Sequence, residues 1–191
     1  MRVIGRMNNQ NARWAIDALA RSLTHAVKEL GIPATVSHSL NPVYPWDVAI
    51  RPLPGARFGS VSINSMYWTK TDARGDGGIY FCREMNGWRA WPGNRPDRVV
   101  YQRQWILDDR DPYGQRRGWL CVVTRALAPD GAVWARWVPM SEVWDWYNRG
   151  PSIPLGVIAG SPSVRYNEKT KRFELTSDLL ATVLGVKGWA S

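Results

Sequence analysis

The sequence predicts an α+β protein: an N-terminal amphipathic helix packed on a mostly antiparallel or mixed sheet, with a small C-terminal hairpin–helix extension. Three observations carry this. Apolar residues recur at three- and four-residue steps near the N-terminus. Between Ala34 and Val138, short runs of β-branched and aromatic residues alternate with polar ones and are divided by turn-forming residues. After Pro151 the pattern shrinks to one hairpin and one short helix.

The first helix is expected over Asn11–Leu30. Ala12, Ala15, Ile16, Leu19, Leu23, Ala26, Val27 and Leu30 give its apolar face, and Arg13, Asp17, Arg21, Thr24 and Lys28 its polar face. Asn8, Asn9 and Asn11 offer N-caps, while Gly31 and Pro33 stop it. Seven strands are expected next: Ala34–Ser39, Asp47–Arg51, Gly59–Tyr67, Gly78–Arg83, Val99–Leu107, Gly118–Leu127 and Ala132–Val138. Residues 72–78, 91–97 and 108–114 read as polar loops, and Ala128-Pro129-Asp130-Gly131 as a hairpin turn. A short helix is expected at Ser141–Tyr147 and a break over Pro151–Pro154. A hairpin from Ser163–Tyr166 to Arg172–Leu175 and a helix over Ser177–Leu184, stopped by Gly185, complete the chain. On this reading residues 1–150 are one core domain and 151–191 an extension packed on it. The last helix starts like a helix-turn-helix, but too few residues follow for a recognition helix, so it is read as a packing helix.

With 191 residues, 45% of them hydrophobic, the chain is long enough for one good core, and global disorder is excluded. No stretch approaches the roughly 18 consecutive apolar residues of a membrane helix. The charged start is followed by polar Met7–Asn11, so no signal peptide is expected and the protein is placed in the cytoplasm, with no membrane partner. Cys82 and Cys121 lie in apolar runs and read as buried thiols rather than a disulfide framework. Together with His25 and His38 they show no zinc spacing. Neither a metal nor a cofactor is expected.

Two features stand out. The chain has 25 basic against 16 acidic residues, a net charge of +9, and 20 of the basic residues are Arg; it also has 12 Trp. Arg offers a planar fork that pairs with phosphate or carboxylate and stacks on aromatic faces. Such a surface suits nucleic acid or an acidic protein face. The same bias follows from GC-rich coding DNA, so composition alone does not decide.

The richest stretch, Arg83–Arg125, holds nine Arg and five acids, interleaved with Trp88, Trp91, Tyr101, Trp105 and Trp119. Trp105 and Trp119, at strand centres, are expected in the core. Trp88 and Trp91, flanked by Gly87, Pro92 and Gly93, suit the stacking of unpaired bases while Arg holds phosphates. Trp and Arg are equally the dominant residues of protein interfaces. The candidate binding residues are Arg89, Arg95, Arg98, Arg116, Arg117, Trp88 and Trp91.

Catalytic signatures do not appear: there is no P-loop, dinucleotide fingerprint, nucleophile elbow or zinc-protease motif. His25 and His38 read as structural or surface residues. Asp108, Asp109 and Asp111 surround Arg110, which favours a solvated turn with local ion pairs over a Mg²⁺ site.

One resemblance remains. Trp46-Asp47-Val48-Ala49-Ile50 is an Asp-bearing strand, Gly59–Asn64 the next strand, and Val133–Val143 a late strand-to-helix passage. Across about residues 10–150 this order of elements resembles the restriction-endonuclease-like PD-(D/E)-x-K nuclease superfamily. The resemblance implies a metal-binding role for Asp47 and an acid-x-Lys motif on the following strand. That motif is missing, because Ser62, Ile63 and Asn64 occupy its place. In such enzymes two carboxylates hold the metal that generates the attacking hydroxide. Ser and Asn do not supply that charge, so the resemblance implies an inactive relative.

The expected function is therefore a non-enzymatic, basic binding protein acting on nucleic acid or a nucleoprotein complex. One alternative is a protein-binding inhibitor or accessory factor, of phage or mobile-element type, that docks on an acidic protein face. A second is a metal-dependent nuclease using Asp47.

Overall fold

The computed structural model describes residues 2–38, 47–68, 78–82, 87–88, 117–125, 127–149 and 152–187. Helix α1, Arg2–Glu29, opens the chain. It starts nine residues before the expected Asn11, so the Asn residues that looked like caps lie inside it. Asn in a helix interior is at most about 0.7 kcal/mol worse than Ala. That is too little to stop a helix that is already propagating.

The helix buries Ala15, Ala18, Leu19, Leu23, Ala26 and Val27. Small residues on this face let the sheet approach closely. Burying a Leu side chain contributes roughly 1.5–3 kcal/mol, so Leu19 and Leu23 dominate the docking energy of the stripe. Gly31, at φ 64°, ends the helix. In that left-handed turn the Ile32 N–H reaches the Val27 carbonyl at 2.9 Å, and Ile32 folds back into the core.

Among the described residues ten strands follow in chain order: β1 Ala34–His38, β2 Val48–Pro52, β3 Val61–Trp68, β4 Gly78–Cys82, β5 Gly87–Trp88, β6 Arg117–Thr124, β7 Trp134–Pro139, β8 Ser152–Pro154, β9 Ser163–Asn167 and β10 Arg172–Phe173. The further helices among the described residues are α2 Met140–Arg149, α3 Leu155–Gly160 and α4 Ser177–Leu184. The main sheet has seven strands in the order β1-β2-β3-β6-β7-β9-β10. Its one parallel pair is β3 with β6; every other neighbour in it is antiparallel. The fold is α+β with a mixed sheet, as the sequence pattern indicated.

Side chains alternate across the strands, so the sheet has two different faces. Val61, Ile63, Trp119, Cys121, Val123, Ala135 and Trp137 share one core with α1 and α4. Ser62, Asn64, Leu120, Val122, Thr124, Arg136 and Val138 alternate with them and are also buried. Helix α2 packs on β6, β7 and β8, and α3 on β7 and β8, which covers this second face.

Trp119 and Trp137 meet edge to face at 6.4 Å in the first core. Trp14, Tyr166 and Phe173 form a second aromatic cluster, with 5.1 Å between Trp14 and Tyr166. Each such pair adds about 0.5–1.5 kcal/mol beyond its burial. Trp119 is thus a core residue, as its position at a strand centre suggested.

A smaller sheet, in the order β5-β4-β8, lies apart from the main one. The segment around Pro151–Pro154, expected to be a simple break, contains β8. Ile153 pairs with Ile79 and Ser152 with Tyr80. Two prolines so close together leave no alternating pattern to read, and Pro154 is tolerated because it is the last residue of the strand.

The chain beyond residue 151 extends the main sheet. Strand β9 pairs with β7, and the β9–β10 hairpin closes through Asn167, whose Oδ1 accepts the Lys169 and Thr170 N–H groups. Helix α4 spans the expected residues. Thr176 Oγ1 accepts the Leu179 N–H at its start, and left-handed Gly185 closes its end. Among the described residues no helix is long and apolar enough to cross a membrane. The expected strand Val99–Leu107 lies outside the described residues, as does Trp105.

Candidate functional site

Two of the seven candidate binding residues fall in described strands. Trp88 is the second residue of β5, opposite Phe81 of β4. Arg117 opens β6, opposite Val61 of β3. Arg89, Arg95, Arg98, Arg116 and Trp91 lie outside the described residues, and so do Asp108, Asp109 and Asp111.

All seven nevertheless belong to one stretch of chain, which leaves β3 at Trp68 and ends in the first residue of β6. The hydrogen bonds from β4 to β8 tie this stretch to the α2/α3 side of the main sheet.

On the second face β3 carries two buried polar residues, Ser62 and Asn64, and buried Asp47 precedes β2 beside it. Antiparallel β2 and β3 pair Val48 with Ile63 and Ala49 with Ser62. Asp47 immediately precedes β2 at this end of the pairing. The Asp47 N–H donates to the Ile63 carbonyl at 2.9 Å, and its carboxylate Oδ2 accepts the Ser65 N–H at 2.8 Å. Asp47, Ser62 and Asn64 are 3%, 1% and 0% exposed. The fold thus ties Asp47 to β3 through Ile63 and Ser65.

The donor set is nonetheless poor for a hard cation. Mg²⁺ and Ca²⁺ sites are built on carboxylate oxygens. Here Asp47 is the one carboxylate among these residues, with one oxygen engaged by Ser65, and Ser62 and Asn64 are neutral. The Asn64 Oδ1 and Nδ2 atoms are both buried and without a hydrogen-bond partner among the described residues. No group of three or more His, Cys, Asp or Glu side chains that could hold a metal occurs among the described residues.

Cys121 is fully buried, and burial pushes its thiol far above the ordinary range. The thiolate is the reactive form, so this residue is inert as a nucleophile in the folded protein. Cys82 lies on β4.

Arg136, 8% exposed, is a structural cation. Its Nη1 donates to Ser163 Oγ at 3.1 Å and to the Ala159 carbonyl at 3.4 Å, and its Nη2 to the Leu127 carbonyl at 3.4 Å. Its guanidinium lies 5.7 Å from the Trp134 ring centre. Desolvation lowers its pKa, but an arginine remains charged at neutral pH. It ties α3 and β9 to the β6–β7 turn.

The structure also assembles a site that the sequence pattern did not single out. A groove of about 560 Å³ runs along the outward face of α1. Arg21, His25 and Lys28 lie along its helical floor, one below another at steps of four and three residues. His38 of β1 lines one side and Arg172 of β10 the other. Asp17 sits at the N-terminal end of the floor, its Oδ1 3.9 Å from His38 Nε2. Arg21 Nη2 makes one long bond, 3.5 Å, to the Lys171 carbonyl. In the sequence, Arg21 and Lys28 read only as the solvated side of an amphipathic helix. The available signal was their spacing around His25; the contribution of β10 is invisible without the fold.

No protein-family model matches the chain, and no curated protein and no solved structure is found to match it.

Proposed function

We propose that the protein is a non-enzymatic nucleic-acid-binding protein built on a nuclease-like core whose metal site has been lost. The observation that carries this reading is the gathering of Arg89, Arg95, Arg98, Arg116, Arg117, Trp88 and Trp91 into the single connection between β3 and β6. Arg in this connection holds phosphates, and Trp88 and Trp91 stack on unpaired bases. The net charge of +9 supports the reading through long-range attraction to a polyanion.

The nuclease-like core rests on the order of elements. Helix α1 precedes a strand that Asp47 introduces, and the next strand carries Ser62 and Asn64 at the place of the missing acid and Lys. The lost activity rests on the neutral donor set beside Asp47.

The test is a titration of single- and double-stranded oligonucleotides with the full chain. Trp88→Ala and Trp91→Ala are expected to cost single-strand affinity about 1–3 kcal/mol each. Arg95→Ala and Arg98→Ala are expected to weaken binding to all sequences and to reduce its salt dependence. Unchanged affinity in all four variants would refute the assignment of this connection.

A further inference from the structure

We infer that the groove on α1 binds the phosphate chain of a small phosphorylated ligand, of the di- or triphosphate class. The site lies on α1, which packs on the face of the sheet opposite α2 and α3, so it does not depend on the reading of the β3–β6 connection.

Three observations lead there. First, the groove collects cations from two distant parts of the chain. Arg21 and Lys28 come from α1, and Arg172 comes from β10. None of the three has an acidic side chain in ion-pair contact among the described residues. Three cations line one groove against a single carboxylate, Asp17, and this excess of positive charge favours an anionic occupant. Both Arg side chains offer the planar fork that fits phosphate oxygens, while Lys28 supplies a point charge.

Second, the cations are spaced for more than one phosphate. Arg21 and Lys28 are seven residues apart, about 10 Å along the helix at 1.5 Å per residue. With both side chains extended, a short linear chain of phosphates spans that distance. His25 lies between them with ring nitrogens that donate or accept hydrogen bonds.

Third, the groove is closed at one end by charge. Asp17 lies one turn before Arg21, and its carboxylate repels a phosphate strand that continues along the helix. This favours a short ligand over a nucleic-acid backbone running through. The volume of about 560 Å³ also lies within the roughly 300–1,000 Å³ of small-molecule sites.

The test is calorimetric titration of the full chain with tripolyphosphate at low salt, with an uncharged-base single-stranded oligonucleotide, oligo(dT), as a second arm. Tripolyphosphate is expected to bind at one site. Arg21→Gln and Arg172→Gln should each weaken it about tenfold or more, the loss of one charge-assisted hydrogen-bonded contact. Arg13→Gln, an equal charge change on the same helix outside the groove, should leave binding within about twofold. All three positions are at least partly solvent-exposed, so circular dichroism is expected to show the wild-type fold. Absence of tripolyphosphate binding overturns the proposal. So does equal weakening by Arg13→Gln, which marks unspecific attraction. Oligo(dT) binding that alone responds to Arg21→Gln overturns the small-ligand assignment.

Discussion

The Asp47 carboxylate accepts the Ser65 backbone N–H at 2.8 Å, so the acid that introduces β2 closes the end of its pairing with β3. This relationship gives Asp47 a structural task. Asp47→Ala is expected to leave the buried Ser65 N–H without this acceptor and to destabilise the protein by about 1–3 kcal/mol. Urea denaturation with an unchanged m-value checks this. Nucleic-acid affinity, measured below the unfolding transition, should stay the same. A strong loss of affinity with unchanged stability would instead place Asp47 at the binding surface.

The neighbouring Asn64 should behave in the opposite sense. Its amide is buried and without partners among the described residues, a burden of about 1–3 kcal/mol for a neutral polar group. Asn64→Leu, close in volume, is expected to be neutral or stabilising. A thermal melt that falls by more than a few degrees would show that the amide has a partner that matters.

Ser22 makes a two-way hydrogen bond in the core. Its Oγ donates to the Ala18 carbonyl at 2.6 Å and accepts the Phe173 N–H at 2.8 Å. It thereby fixes β10 against α1. Ser22→Ala should leave a buried backbone N–H unsatisfied and cost about 1–3 kcal/mol. Because Arg172 is the next residue back along β10, the same variant should also loosen the cationic groove. Denaturation and tripolyphosphate titration of the one variant check both effects.

Cys121 makes the pH prediction. Burial raises its pKa in the folded state above the unfolded value. Below the ordinary thiol range both states carry the proton and there is no pH effect. Above about pH 8.5 the unfolded chain loses the proton and the folded one keeps it, so stability falls with rising pH. The slope approaches about 1.4 kcal/mol per pH unit from this group. A Cys121→Ala variant should show a shallower alkaline decline than the wild type. Alkylation followed by peptide mapping should leave Cys121 unmodified until the protein unfolds.

Local patterns carried much of the fold. Helix α4 was legible to the residue because Thr176, Ser177 and Gly185 mark both ends by their own chemistry. The body of α1 was legible from its 3.6-residue period; its start was not, because Asn residues serve equally as caps and as tolerated interior residues. Strand β8 was hidden by Pro151 and Pro154. The parallel pairing of β3 with β6 joins segments separated by residues 69–116, and no local pattern encodes so distant a partner.

The sites divide in the same way. Asp47 was linked in the sequence to the strand of Ser62 and Asn64 only through the nuclease resemblance; its hydrogen bond to the Ser65 N–H depends on a register that the sequence pattern did not specify. The groove was missed because its cations come from α1 and β10. Arg21 and Lys171, which meet at its edge, are 150 positions apart. Charge on an amphipathic helix says nothing of what faces it until the other elements are in place.

The most direct test of nucleic-acid binding without catalysis is a titration of labelled single- and double-stranded DNA and RNA at two salt concentrations, with and without Mg²⁺. Affinity is expected to fall steeply as salt rises, as counterions compete for the phosphates. It should not require Mg²⁺, and the nucleic acid should remain intact. Absence of binding at low salt, despite a net charge of +9, would contradict nucleic-acid binding, and Mg²⁺-dependent cleavage abolished by Asp47→Ala would contradict the loss of catalysis.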